Sequence, residues 1–364
     1  MSIRDHVRAL PAYRFTPRPE PVKLDQNESP NDLPAALKQQ VLEVLGRAAW
    51  NRYPDVSPRS LERALALRHD WDPDGVVVAN GSNVLIQALA IVAALGRSVV
   101  TVRPTFSVYA AQAHLLDAEL VEVPLGEGFA LPLDGLRRAL HGRSGALFVP
   151  NPAAPTGNLH PVPEIDALLD AVPDDILPVI DEAYAEFAGQ DHLPLVRARA
   201  GAVSLRTLSK AAGLAGVRVG YGLTTPETAQ EVRKALLPFS VTALQVAIAE
   251  AVLEHPELIQ ARVEHVTRER ERMLAAMRAL PGVLPFPSVT NFLLFRVERP
   301  AEVYAALLRR GVVIRRQDHL PGADGCLRVS VGAADENDAF LTALPEALDE
   351  TRDLAATNQE SAHD

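Results

Sequence analysis

Between about residues 76 and 225, short runs of β-branched and aliphatic residues alternate with stretches whose apolar positions recur at helical spacing. Strands covered on both faces read as near-continuous Val/Ile/Leu runs, and amphipathic helices repeat every three to four residues. The alternation therefore predicts an α/β fold with a doubly wound, mostly parallel, seven-stranded sheet. Expected strands are 76–79, 98–102, 119–123, 146–149, 177–180, 202–205 and 219–223, with helices at 84–95, 107–116, 133–140 and 161–171. Residues 226–278 read as mostly helical, and 263–277 carry charge on one face, long enough to link two domains. Strands near 292–297, 312–314 and 327–331, with helices near 301–310 and 336–348, suggest a smaller α+β domain. A polar tail over 355–364 is expected to be disordered.

Composition sharpens this picture. A chain of 364 residues, 48% of them hydrophobic, can bury a large core. The net charge of −10, with Lys and Arg scattered, argues against a nucleic-acid surface. The lone cysteine, Cys326, excludes an intramolecular disulfide and fits a reducing cytoplasm. The N-terminus has no apolar signal region, and the most apolar stretch, 84–95, is too short to span a bilayer. No metal is expected, since the ten histidines show no paired ligand spacing, and no G-x-S-x-G motif suggests a serine hydrolase.

The candidate chemistry centres on Arg206-Thr207-Leu208-Ser209-Lys210, followed by Gly213 to Tyr221. A lysine that attacks a carbonyl must be desolvated or placed beside positive charge, because an amine at its ordinary pKa is protonated at neutral pH. Arg218 can supply that charge and bind phosphate, and Thr207 and Ser209 can donate to phosphate oxygens. The run Val179-Ile180-Asp181-Glu182-Ala183-Tyr184 is a strand delivering acids and a tyrosine to its carboxyl end, where α/β proteins place chemistry. Asn80-Gly81-Ser82-Asn83 lies between a strand and an apolar helix, so the helix N-terminus is a ready anion site for Ser82 and Asn83. Phe106, beyond Pro104-Thr105, can stack on a flat ring.

With Asn27-Glu28-Ser29-Pro30, Arg52-Tyr53-Pro54, Pro104 to Tyr109, Pro155-Thr156-Gly157, Thr290-Asn291-Phe292 and Gly325 to Gly332 added in order, nearly the whole chain resembles the fold-type I aminotransferases, in particular the histidinol-phosphate aminotransferase family. The resemblance implies pyridoxal 5′-phosphate as cofactor and transamination of L-histidinol phosphate with 2-oxoglutarate to imidazole-acetol phosphate and L-glutamate. It implies that Lys210 holds the cofactor and shuttles the proton, that Asp181 keeps its ring nitrogen protonated, and that Tyr184 meets its ring hydroxyl. On the same resemblance, Ser82, Asn83, Thr207, Ser209 and Arg218 are expected to form the phosphate site, Phe106 to stack on the ring, and Tyr53 to reach the cofactor of a partner subunit in a homodimer. Tyr13, Asn291, Arg315 and Arg328 match substrate-binding positions, the arginines suiting both carboxylate and phosphate. The domain layout that goes with it is an arm over 1–30, packed on the small domain or the partner, a large cofactor-binding domain over 31–265 and a small domain over 266–354.

The chain departs from the family in one place. Where relatives carry a second asparagine, Asn151-Pro152-Ala153-Ala154-Pro155-Thr156-Gly157 has Ala154, leaving Tyr184 largely alone on the ring oxygen. One missing neutral donor, worth about 0.5–1.5 kcal/mol, is expected to alter the titration of the bound cofactor without abolishing activity. Same-fold alternatives are an aromatic amino acid aminotransferase or a threonine-phosphate decarboxylase, which substrate-pocket residues alone would separate. A non-enzymatic ligand-sensing module would need an added DNA-binding head, for which this acidic chain leaves no room.

Overall fold

A computed structural model describes residues 3–12 and 18–360, and of residues 353–360 the backbone alone. Among the described residues the large domain is built on seven strands: β1 (Val76–Ala79), β2 (Ser98–Arg103), β3 (Glu119–Pro124), β4 (Gly145–Pro150), β5 (Ile176–Asp181), β6 (Val203–Thr207) and β7 (Gly220–Leu223). Their spatial order is β1-β7-β6-β5-β4-β2-β3. β7 runs antiparallel to both of its neighbours, and the remaining pairings are parallel.

Successive residues point to opposite faces, so each strand feeds two cores. Val99, Ala146, Phe148 and Val179 pack under helix α1 (Ser82–Ala94). Val100, Leu147, Val149 and Ile180 face Leu136, Leu140, Ile165 and Leu168 on the other side. Because every strand except β7 points the same way, the segments that follow β1, β2, β4, β5 and β6 converge on one edge of the sheet. β7 begins at that same edge.

Helix α2 (Pro256–Arg278) leads into the small domain, with Val266, Met273 and Met277 in the core shared with Phe292 and Tyr221. That domain holds an antiparallel sheet of β8 (Leu284–Pro285), β9 (Phe292–Arg296), β10 (Arg315–Arg316) and β11 (Cys326–Ser330), in the order β10-β11-β9-β8. The single strand expected at 312–314 is instead two. Val312–Val313 pairs in parallel with Val22–Lys23, then the chain passes through buried Ile314 and Arg315–Arg316 joins the other sheet. The final helix, Ala334–Glu360, runs past residue 354, where the sequence suggested that order would end; alanines at 355 and 356 carry no helix penalty.

Phe148 is fully buried at the sheet centre and stacks on Tyr109 with ring centroids 5.1 Å apart. Phe148→Ala is expected to cost about 3–5 kcal/mol of unfolding free energy, measured by denaturant titration. A loss below about 1 kcal/mol would mean that this core relaxes around the void.

Candidate functional site

The converging segments enclose a cavity of about 360 Å³ lined by Ser82, Asn83, Phe106, Asp181, Tyr184, Thr207, Ser209, Lys210 and Arg218, joined by Gln26, Glu28, Tyr109 and Ala154. The sequence separates these residues by as much as 192 positions; parallel pairing brings together those that follow the strand ends, and the 26–28 segment joins them from outside the large sheet.

Lys210 sits in the turn after β6, half-buried, its Nζ donating to the carbonyls of Gln26 at 3.2 Å and Asn27 at 3.1 Å. Burial lowers its pKa from 10.5 to about 8, helped by the Arg328, Arg218 and Lys23 charges and opposed by Glu28. Asp181, at the end of β5, is buried; loss of water pushes its pKa up to about 6. Two hydrogen bonds limit that rise: Tyr109 donates to Oδ2 at 2.6 Å and the Ala183 N–H to Oδ1 at 3.1 Å. Burial likewise raises the Tyr184 phenol, whose oxygen accepts from Asn27 Nδ2 at 2.9 Å.

Opposite Lys210, the N-terminus of α1 opens into the cavity. Gly81 is its N-cap at φ +83°, and no side chain caps the helix, so its first N–H groups stay available. A Cβ on Gly81 would stand 2.4 Å from Arg218 Nη2, and one on Gly220 would stand 2.1 Å from the Ser82 nitrogen. Two glycines thus let the arginine and β7 close on the helix end. Arg218 also donates to Ser209 Oγ at 3.4 Å, and Thr207 Oγ1 lies 3.0 Å from the same hydroxyl.

Behind this wall lies a buried lattice. Glu182 accepts from Arg206 at 3.0 Å, from Ser204 at 2.5 Å and from the His192 N–H at 2.7 Å. Burial alone would raise its carboxyl, but the Arg206 charge with the His192 and Ser204 bonds holds it down at about 2. Asn151 ties in through His192 Nε2 at 3.1 Å and the Asp181 carbonyl at 2.8 Å.

The expected substrate arginines are not among the residues that line the cavity, although the Arg328 charge acts on Lys210. Arg328, on β11, donates to the Asp25 carbonyl at 2.8 Å, lies 5.3 Å from the Phe292 ring and faces Arg315 across the strand pair. Asn291 is buried and donates to the Asn27 carbonyl at 3.0 Å. Tyr53 is not part of its own chain's cavity: it is 83% exposed and stacks on Phe239 at 4.9 Å. Tyr13 lies outside the described residues. Sequence reasoning assigned no role to Tyr109 or Asn27; both stand in the quoted motifs, but only their partners reveal what they hold. Among the described residues, no cluster of three or more His, Cys, Asp or Glu side chains could hold a metal ion. No described helix is long and apolar enough to cross a membrane.

Residues 19–344 match the family model described as aminotransferase class I and II. A histidinol-phosphate aminotransferase of Deinococcus radiodurans is 45% identical over 345 residues, covering 94% of this chain and 95% of that protein. The one of Thermococcus kodakarensis is 38% identical, covering 95% and 98%. Among solved structures, the histidinol-phosphate aminotransferase from Sinorhizobium meliloti in complex with pyridoxal-5′-phosphate superposes with a TM-score of 0.86 at 27% identity, covering 96% of this chain and 98% of that one.

With the protein stripped of small ligands, acylation of Lys210 followed by mass spectrometry is expected to rise with a midpoint near pH 8, because the neutral amine is the reacting form. A midpoint in the ordinary lysine range, about pH 10, would refute the electrostatic account.

Proposed function

The chain belongs to the aminotransferase class I and II family, and from that premise we propose that its site moves the amino group of L-histidinol phosphate to 2-oxoglutarate, giving imidazole-acetol phosphate and L-glutamate in histidine biosynthesis. The cofactor is pyridoxal 5′-phosphate. One observation carries the reading: a lysine whose ammonium form is disfavoured by burial lines the same cavity as a buried carboxylate and an uncapped helix N-terminus joined by an arginine.

The donor set fits the cofactor. A phosphate dianion suits the amides and side chains of Ser82 and Asn83 with Thr207, Ser209 and Arg218, in the close approach that Gly81 and Gly220 permit. Asp181, oriented by Tyr109 and the Ala183 N–H, suits the protonated ring nitrogen; Tyr184 suits the ring oxygen and Phe106 the ring face. When bound, the cofactor supplies the electron sink for the carbanion left by loss of the substrate's α-proton.

The protein's residues do the rest. Lys210 would hold the cofactor covalently, and its amine would take up and return the substrate's α-proton. A base with a pKa near the working pH serves both directions. Asp181, as a carboxylate, would be the counter-charge that favours a protonated ring nitrogen. Arg328 and Arg315, paired across neighbouring strands, would bind the substrates' anionic groups by guanidinium forks, with Asn291 just before β9 as a further polar contact. Trp50, Tyr53 and Leu237 are large apolar side chains left exposed, with Tyr53 stacked on Phe239, as a contact with a second copy would use; that contact would bring Tyr53 to the partner's phosphate site. The buried lone Cys326 suits a cytoplasmic enzyme.

Stopped-flow absorbance of the half-reaction tests the substrate: the cofactor band of the wild-type protein should change fastest with L-histidinol phosphate, ahead of phenylalanine and threonine phosphate, with glutamate serving the reverse half. Lys210→Ala should not turn over. If threonine phosphate or phenylalanine is fastest, the substrate assignment falls while the cofactor assignment stands. Gly81→Ala, by displacing Arg218, should weaken pyridoxal phosphate binding about tenfold or more, since a bond to a charged group is worth about 1.5–3 kcal/mol. Unchanged affinity in a fluorescence titration would remove Arg218 from the phosphate site.

A further inference from the structure

Tyr184 has a partner that comes from the opposite end of the chain. Asn27 is 2% exposed and sits at φ +54°, a left-handed conformation that asparagine tolerates better than most residues. Its backbone N–H donates to Ser330 Oγ at 2.8 Å, and Ser330 Oγ returns its own proton to Asn27 Oδ1 at 3.1 Å. Ser330 is buried and Asn27 Oδ1 is the acceptor its single hydroxyl proton finds, so turning the amide over would strand that proton. That pins the amide orientation: Oδ1 faces Ser330, and Nδ2 faces the Tyr184 oxygen at 2.9 Å. An NH₂ group only donates, so the Tyr184 oxygen accepts there and its own proton must point elsewhere. On the cavity side stands Ala154, whose methyl group can neither donate nor accept.

We propose that Asn27 is a positioning residue for the reaction, which, locked by Ser330, turns the Tyr184 hydroxyl proton into the cavity toward the cofactor's ring oxygen and so offsets the missing donor at Ala154. The proposal rests on the cofactor reading given above. It links three distant stretches of chain, because Ser330 lies on β11 and the same Asn27 carbonyl accepts from Lys210 and Asn291. Without the Asn27 donor, the Tyr184 hydroxyl can rotate away from the cavity and spend part of its time unaimed.

The test is the pH titration of the visible absorbance of the protein carrying pyridoxal phosphate, compared among wild type, Tyr184→Phe, Asn27→Gly, Ser330→Ala and Asn27→Gly/Tyr184→Phe. Glycine keeps the left-handed backbone while removing the amide, and Ser330→Ala frees the amide to turn without touching residue 27. Asn27→Gly should move the chromophore's titration midpoint in the same direction as Tyr184→Phe, by a factor of about three to ten in the protonation equilibrium, the worth of one neutral hydrogen bond. Ser330→Ala should move it the same way and less far. In the Tyr184→Phe background, Asn27→Gly should add little. A full-sized shift persisting in that background would mean that the Asn27 side chain acts by a route that does not pass through Tyr184, and would overturn the proposal. So would an unchanged midpoint in Ser330→Ala, the variant that decides the matter if Asn27→Gly does not fold. Failure of the wild-type protein to develop any visible band with pyridoxal phosphate would overturn the cofactor reading itself, and this inference with it.

Discussion

Glu182 and Arg206 face each other 3.0 Å apart in a part of the protein that water does not reach, one just past the end of β5 and the other on β6. Burying two charges is costly, and mutual attraction offsets the cost only when the remaining lone pairs and protons are also satisfied. Here Ser204, His192 and Asp191 complete the shell. Such a pair adds little net stability over an apolar one, but losing either partner strands a buried charge at about 3–5 kcal/mol. Its consequence is placement. The ends of β5 and β6 cannot slide without breaking it, so Asp181 and the Thr207 to Lys210 turn stay side by side.

That fixed edge is where opposite electrostatic demands meet. The helix N-terminus, Arg218 and Arg328 gather positive potential around the cavity, while the chain as a whole carries a net charge of −10. The local arrangement, not the total, decides which ligands are welcome. The same positive charges and the same burial depress Lys210, because both disfavour an ammonium ion. For Asp181, burial works against ionisation, and the Tyr109 and Ala183 hydrogen bonds restore part of it. A cavity suited to anions and a lysine held below its ordinary pKa are thus two results of one charge distribution.

Much of this was legible in the chain. The seven large-sheet strands fall where the β-branched runs lie, because strands covered on both faces need continuous apolar sequence. Lys210, Asp181, Tyr184, Ser209 and Arg218 sit in local motifs at strand and helix ends, and those ends become one cavity once the strands are parallel. The reversed direction of β7 was not legible, since a strand's sequence reads alike in either orientation. Nor was the split near Ile314, where a run of apolar residues changes sheets without any break in its pattern. The Glu182 lattice also escaped, because its members look like ordinary charged residues until burial pairs them.

The sequence by itself determined the layered α/β architecture, the lysine, the acid and the glycine turn at a helix N-terminus, because periodicity, glycine placement and short motifs act over a few residues. Only the tertiary structure decided which group faces which. Asn27 meets Tyr184 across 157 residues and Ser330 across 303, and Tyr109 meets Asp181 across 72. A hydrogen bond of that kind leaves no periodic trace in the chain. Its direction is set by which lone pairs and protons remain after every neighbour has been satisfied, and that balance exists only once the segments are packed together.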